Sequence, residues 1–387
     1  MKKIGIVTHY YKSRNYGGNL QAFALCKVLH NMGYNVEQIC IPRLLSQKQK
    51  KRHVSTNNIV HLLKIAFRKC IWILRSVFVN LYEKKYKITF RRVEAFENFN
   101  QGMIPHSQKI FSSETLSECV DDYDIFITGS DQVWNFWGEM KPYLLDFVPS
   151  HKTKLSYAAS IARSTLSDVQ KEVFRTSLRD YKAISVREYS AKQMLLGIAE
   201  VEPQVVLDPT LLLSKEEWDC VCAERILEKE YAFCYFLGDN KRARKIARRF
   251  AKKHGLFLVV LPHAAGINFS DIRYGDARLY DASPEQFLSL IKHAKYVFTD
   301  SFHAVVFSNI YQKQYFVFNR SAKAEMSSRI TDITALFHQE ERFCAGKERE
   351  SLTYVESLSN IDYTKENKDF EKLKKESIEF LENNLKD

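Results

Sequence analysis

Residues 3–39 read KIGIVTHYYKSRNYGGNLQAFALCKVLHNMGYNVEQI, and the reading of this stretch decides the fold. Its first six residues, Lys3–Thr8, are a short apolar run of the kind buried on both faces of a parallel sheet. Leu20, Phe23, Ala24 and Val28, with Leu25 and Leu29 beside them, recur at helical spacing and predict a helix over Leu20–Met32. Gly33 follows as its C-terminal cap, and Tyr34–Ile39 predicts a second strand. A strand-loop-helix-strand opening is the start of a doubly wound α/β sheet.

The same alternation continues outward. Asp124–Thr128, Leu155–Ala158, Ala183–Val186 and Gln204–Leu207 read as further strands. After Asp208-Pro209 the pattern restarts with Tyr231–Leu237, a basic helix Lys241–His254 closed by Gly255, and strand Leu256–Leu261. Ser283, Pro284 and Gln286 mark a capped helix start, then come strand Tyr296–Thr299, a helix from about Phe302 and strand Tyr315–Phe318. A final helix over about Lys365–Leu385 has Phe370, Leu373, Ile378, Leu381 and Leu385 as its main apolar residues. The expected organisation is α/β with a first domain over 1–210, a second over 211–340 and a helical tail over 341–387, which suits a chain of 387 residues.

The chain carries a net +12, and all of it sits in one place. Residues 46–92 hold thirteen Lys or Arg and one acid, Glu83, while the other 340 residues hold 45 bases and 45 acids. A nucleic-acid-binding surface spread over the protein is therefore not expected. Within 46–92, apolar residues from Ile59 to Tyr82 recur at helical spacing, with Lys64, Arg68 and Arg75 between them: a basic helical insert in the first domain. It reads either as a helix packed on that domain with a solvated basic face or, the favoured reading, as a peripheral helix on an anionic membrane surface. In the second case Trp72, Ile73, Phe78 and Tyr82 would enter the interface. The best apolar run, Ile71–Tyr82, has 12 residues and contains Arg75, short of the roughly 20 that span a bilayer. The start of the chain reads as a buried strand and not a signal peptide. Eight cysteines without a paired zinc spacing fit structural roles in a reducing cytoplasm.

Ligands of open α/β sheets bind beyond the carboxyl ends of the strands, and four loops there carry unusual residues. Asn15-Tyr16-Gly17-Gly18-Asn19 precedes the first helix. It reads as a close backbone approach to a ligand, with free helix-start N–H groups for an anion, or as a tight strand-to-helix turn. Gly129-Ser130-Asp131-Gln132-Val133-Trp134-Asn135 suits a sugar, with Trp134 and Trp137 as aromatic faces, or is a capped turn with two core tryptophans. Arg187 leaves a strand and offers a bidentate anion grip, or pairs with Glu188 or another acid. In Thr299-Asp300-Ser301-Phe302-His303, His303 falls in the first turn of a helix. There the helix dipole disfavours imidazolium, so a functional histidine is favoured over a core one. Ser327-Ser328-Arg329 supplies a further anion clamp or a surface cap. Asp122-Tyr123-Asp124 precedes its strand and reads as a solvated strand entry and not a metal site.

Taken together, Asn15–Gln21, Gly129–Trp134, Ser156–Ser160, Ile184–Glu188, Leu207–Thr210 and Thr299–His303, in this order, resemble the polysaccharide pyruvyltransferase family. The resemblance implies two Rossmann-like domains facing across a cleft, as in GT-B enzymes. It also implies transfer of pyruvate from phosphoenolpyruvate, as co-substrate with no other cofactor and no metal, to a sugar of a cell-surface polysaccharide or its lipid-linked precursor. His303 matches the family's catalytic histidine and Arg187 its upstream arginine. Ser301 stands where the family has an arginine two places before that histidine, and Arg329 is the compensating candidate on the donor side. The acceptor falls to Asn15, Gly17, Gly18, Asn19, Ser130, Asp131, Gln132 and Trp134. The alternative is a GT-B-like glycosyltransferase whose same loops read the diphosphate of a nucleotide-sugar. The expected location is cytoplasmic, peripheral on the inner face of the membrane.

Overall fold

The computed structural model describes residues 2–42, 77, 79–81, 83–85, 87–136, 138–263, 269–320 and 328–386. Seven parallel strands form the first sheet: β1 (Lys3–Val7), β2 (Asn35–Cys40), β3 (His106–Ile110), β4 (Ile125–Thr128), β5 (Thr153–Ala159), β6 (Ala183–Val186) and β7 (Gln204–Val205), in the order β3-β2-β1-β4-β5-β6-β7. Six more form the second: β8 (Tyr231–Tyr235), β9 (Phe257–Val260), β10 (Ala277–Arg278), β11 (Tyr296–Thr299), β12 (Gln314–Phe318) and β13 (Phe343–Cys344), in the order β10-β9-β8-β11-β12-β13. Each sheet winds outward in both directions from its first strand. The strand order therefore reverses between β1 and β4, and again between β8 and β11, which opens a crevice at the strand ends. The loop after β4 carries Ser130–Gln132, and the loops after β1 and β11 lead into helices whose first turns carry Gly17 and His303.

The central strands are apolar because they are covered on both faces: β4, β6 and β8 are buried along their whole length. The edge strands β3, β10 and β13 were not expected from the sequence. β3 reads His-Ser-Gln-Lys-Ile, and β10 and β13 have two residues each, so neither periodicity nor length marks them. The first helix spans Tyr16–Asn31, beginning four residues earlier than the apolar stripe implies, with Gly17 and Gly18 in its first turn. Glycine weakens a helix start, so its presence here answers to a packing demand taken up below. Ser283 caps the Pro284–Lys292 helix, with Gln286 closing the reciprocal box. Ser167 with Gln170 and Ser214 with Glu217 do the same for Asp168–Ser177 and Lys215–Asp219.

The two domains share one apolar core. Tyr16 stacks on Phe287 at 4.8 Å between centroids, and its hydroxyl donates to the Ala282 carbonyl at 2.7 Å. Arg92, on the Ile88–Met103 helix, is buried and donates from Nε to Tyr280 O at 2.5 Å and from Nη1 to His263 O at 2.9 Å. Counting Arg92 with a solvated basic insert is thus a correction to the sequence reading: it is a clamp between the domains. The described residues of 77–85 are helical. The rest of the 59–82 helix and its proposed membrane-facing Trp72, Ile73, Phe78 and Tyr82 lie outside the described residues. The C-terminal helix, Lys368–Leu385, crosses back to the first domain. There Ser377 Oγ accepts from Leu207 N–H at 2.9 Å and Phe380 sits 6.3 Å from Tyr157. Among the described residues no helix is long and apolar enough to cross a membrane, and no cluster of His, Cys, Asp and Glu is placed to hold a metal.

Candidate active site

Asp208, just after β7, is the centre of the site. Its side chain is buried, and Arg187 Nη1 donates to Oδ2 at 2.7 Å. Ser130 Oγ reaches the same oxygen at 3.1 Å, and His303 Nε2 stands 3.6 Å away, an ion-pair distance and not a hydrogen bond. Oδ1 is fixed by Thr210, whose hydroxyl donates at 2.6 Å and whose N–H donates at 3.1 Å. Burial opposes the charge on Asp208, but His303, Arg187 and Thr210 outweigh it and hold the carboxyl far below the usual range.

Arg187 leaves the end of β6 and spans two acids. Its second terminal nitrogen lies 3.3 Å from Asp131 Oδ1, its Nε lies 3.9 Å from Glu188 Oε2, and its guanidinium stacks 4.4 Å over the Phe302 ring. Burial works against its charge, yet Asp208, Asp131 and Glu188 together raise its pKa above the ordinary value. Asp131 is likewise kept charged: burial opposes, while Arg187, His303 and Arg329 prevail. The pairing of Arg187 with acids, the bland reading of the sequence, and a place in the site are both true of it.

His303 sits in the first turn of the Phe302–Ile310 helix and is buried against the first domain. A Cβ placed on Gly17 would lie 1.9 Å from its Nδ1 and 2.3 Å from its Cγ, so only glycine leaves room for the ring. Its neighbours hold the loop: Thr299 Oγ1 donates to Tyr235 O at 2.7 Å and accepts from Ser301 N–H at 3.0 Å. Asp300 accepts from the N–H groups of Leu237 and Gly238 at 2.7 and 2.8 Å. Ser301 occupies the helix cap position, buried, without a capping hydrogen bond from its side chain.

Arg329, on the Ser328–Leu336 helix, completes the set. It is buried, and with its amide oxygen turned to the guanidinium Gln132 accepts from Nη1 at 2.7 Å and Nη2 at 3.0 Å. Among the described residues no carboxylate comes within ion-pair distance of it. Burial, then the nearby cations Arg187 and Arg320, push its pKa down to about 9. Arg187, Arg329, Asp208, Glu188, Asp332 and Phe302 line a cavity of about 300 Å³ together with the apolar Val205, Leu207, Leu211, Ile333, Leu336 and Leu373. Four residues lining it carry buried atoms without hydrogen-bond partners: Nε of Arg187 and Arg329, Oε2 of Glu188 and Oδ2 of Asp332. Unsatisfied buried polar groups are costly, so such a set marks a place meant to be filled.

The structure thus brings together His303, Arg187, Arg329, Ser130, Asp131, Gln132 and Gly17. Others proposed from sequence serve the scaffold. Trp134 is fully buried, its Nε1 donates to Tyr143 O at 2.9 Å and its ring meets Phe174 edge-on, so it presents no face to a sugar. Trp137 lies outside the described residues. Asn19 is buried and donates to the carbonyls of Ser13 and Asn15 at 3.0 and 2.8 Å, tying the loop to the helix start. Gly18 packs on His9 O, and Asn15 is an exposed cap residue. The sequence reading gave no role in the site to Asp208 or Asp332, and took Glu188 only as a partner for Arg187.

With this geometry in hand, the sequence matches the family profile described as polysaccharide pyruvyl transferase over residues 15–321, most of the chain. The chain belongs to the polysaccharide pyruvyl transferase family. All the residues just brought together fall inside the matched span except Arg329 and Asp332, which follow it. No protein of curated function matches the sequence. Among solved structures, the UDP-N-acetylglucosamine 2-epimerase of Rickettsia bellii superposes with a TM-score of 0.54 at 10% identity, covering 99% of this chain and 95% of that one. The UDP-GlcNAc 2-epimerase of Methanocaldococcus jannaschii gives 0.52 at 10% identity, covering 98% and 99%. At such identity these likenesses establish the fold alone: two Rossmann-like domains in the GT-B arrangement. In this pyruvyl transferase family member His303 of the second domain and Asp208 of the first meet between the two domains.

Proposed function

We propose that the protein transfers pyruvate from phosphoenolpyruvate to a sugar of a cell-surface polysaccharide or its lipid-linked precursor, forming a ketal. The observation that carries this is Arg329: a buried cation held by one neutral amide, with its Nε unpartnered, on the same cavity as Arg187. A buried charge without a counter-ion is costly, and a small, highly charged anion is what this one lacks. Phosphoenolpyruvate carries both a phosphate and a carboxylate, and each of the two guanidiniums has an Nε without a hydrogen-bond partner.

In this reading Arg187 and Arg329 hold the donor by its two anionic groups. The two arginines act most strongly on the departing phosphate, where negative charge grows. His303 delivers a proton to the methylene carbon, which makes the adjacent carbon electron-poor and open to attack by a sugar hydroxyl. Asp208 keeps Arg187 and His303 in place, and Gly17 lets the ring stand at the seam between the domains. Ser130, Asp131 and Gln132, on the loop after β4, hold Asp208, Arg187 and Arg329 in turn. No further cofactor is invoked.

The test is phosphate release by the full chain. It is expected only when phosphoenolpyruvate and a sugar acceptor are both present, and to vanish in His303→Ala. Release of a nucleoside diphosphate from a nucleotide-sugar instead would refute the donor. We place the reaction in the cytoplasm at the membrane surface: Val77, Leu81 and Phe90 are large exposed apolar residues, 51%, 63% and 68% accessible, set among Lys84, Lys85, Lys87 and Arg91.

A further inference from the structure

Asp332 follows Arg329 by three residues on the Ser328–Leu336 helix, so the two side chains leave the same face. Both line the cavity, together with Glu188 from the end of β6. Asp332 Oδ2 is buried and has no hydrogen-bond partner, and the same holds for Glu188 Oε2. The other Glu188 oxygen is already saturated, accepting from Ser160 Oγ at 2.7 Å and from Ala162 N–H at 3.0 Å. Two carboxylates at one cavity do not both carry charge without cost. Glu188 has Arg187 Nε 3.9 Å away. Asp332 has no described cation within ion-pair distance, and burial followed by the Glu188 charge raises its pKa to about 6, against a backbone hydrogen bond from Tyr189. The charged and titratable groups lining the cavity with Asp332 are Arg187, Glu188 and Tyr189 after β6, Asp208 after β7 and Arg329 on its own helix, with apolar Leu373 from the C-terminal helix. Asp332 is thus the group of this wall that changes charge in the neutral range.

We propose that Asp332 is a second proton-transfer group of the cleft, taking the proton of the attacking sugar hydroxyl and handing it to the departing phosphate. This rests on the donor reading above. The protons balance with two groups. His303 gives its proton to the methylene carbon, forming a C–H bond and leaving the neighbouring carbon cationic. The first hydroxyl oxygen bonds to that carbon and loses its proton to the Asp332 carboxylate. The carbon–oxygen bond to phosphate then breaks with its electron pair on the phosphate oxygen, which takes the proton from Asp332. The second hydroxyl oxygen bonds to the same carbon and returns a proton to His303. One phosphoenolpyruvate and two hydroxyls become a ketal and hydrogen phosphate, and both side chains end as they began.

The test uses the full chain as wild type, Asp332→Asn and Asp332→Glu, with phosphoenolpyruvate as the binding probe and a panel of p-nitrophenyl hexosides as acceptors. In calorimetry between pH 5 and 8, wild-type affinity for phosphoenolpyruvate is expected to fall as Asp332 ionises near pH 6. Asp332→Asn is expected to bind at least as tightly, without that step. Turnover of Asp332→Asn is expected to drop on the order of 10²-fold, with part of it returning in Asp332→Glu. Turnover within threefold of wild type, or a pH step that persists in Asp332→Asn, overturns the proposal. Loss of donor binding in Asp332→Asn also overturns it, because that outcome marks a structural role. If no hexoside is turned over, the binding step alone decides. A wild-type protein that binds no phosphoenolpyruvate at any pH overturns the donor reading and this step with it, whereas failure of the step in a working enzyme overturns the step alone.

Discussion

Gly17 and His303 come from different domains and fit against each other so closely that a Cβ on Gly17 would lie 1.9 Å from His303 Nδ1. Gly17→Ala must therefore move the imidazole or part the domains. A displacement of about 1 Å at a reacting group can cost on the order of 10²-fold. Turnover is expected to fall by about that factor, with a stability loss of about 1–3 kcal/mol from overpacking. Gly102→Ala, where an added Cβ meets nothing within 4 Å, is the control and should leave both quantities nearly unchanged. Steady-state kinetics and denaturant unfolding check the pair.

Arg329 is expected to lower the stability of the empty protein. Replacing it with Met or Gln removes a buried charge that has only the Gln132 amide as partner. The thermal midpoint without ligand should rise, by about 1–3 kcal/mol in stability. Protection by phosphoenolpyruvate should disappear in the same variant. A thermal-shift measurement with and without the donor reads both effects.

Asp208 behaves in the opposite way. Asp208→Asn leaves Arg187 without its 2.7 Å carboxylate and His303 without the carboxylate 3.6 Å from its Nε2, and should cost about 3–5 kcal/mol. The pH dependence follows from the depressed carboxyl of the folded state. Its stabilisation is complete above the unfolded value of about 4 and is lost as pH falls below it. Urea titrations from pH 7 down to 3 should bring wild type and Asp208→Asn closer together only in acid.

Trp134 separates core from site. Trp134→Ala should cost about 3–5 kcal/mol, as expected for a buried aromatic, because it empties space against Phe174 and frees the Tyr143 carbonyl. In whatever fraction folds, KM for the sugar should be unchanged. A selective rise in KM would restore the aromatic-platform reading.

The basic segment should act on location and not on chemistry. Flotation with anionic vesicles is expected at low salt and to weaken at high salt, since the headgroup attraction is screened. Replacing Leu81 and Phe90 with Ser should reduce it further. Absence from vesicles at both salt levels contradicts the peripheral placement.

Much of this molecule could be read from sequence because strands buried on both faces are written as apolar runs and capped helices carry their own start signals. Ser283-Pro284-Glu285-Gln286 is such a signal, and the structure shows each of its hydrogen bonds. The helix start at Tyr16 was missed because glycine argues locally against helix, and the reason for Gly17 lies 286 positions away in His303. Edge strands such as His106–Ile110 lack an apolar face and give no pattern. At the site, His303, Arg187 and Arg329 stood out as polar residues at strand or helix ends. Asp208 did not, because its meaning depends on partners from β6 and from the helix after β11. Trp134 misled for the converse reason: a tryptophan beside polar residues reads alike whether its ring faces a ligand or the core.

The most direct test of the central claim is calorimetric titration of phosphoenolpyruvate into the full chain, run beside UDP-N-acetylglucosamine and inorganic phosphate. Saturable one-to-one binding of phosphoenolpyruvate is expected, abolished in Arg329→Gln and retained in His303→Ala. Heat with the nucleotide-sugar alone, or phosphoenolpyruvate binding unchanged in Arg329→Gln, would contradict it.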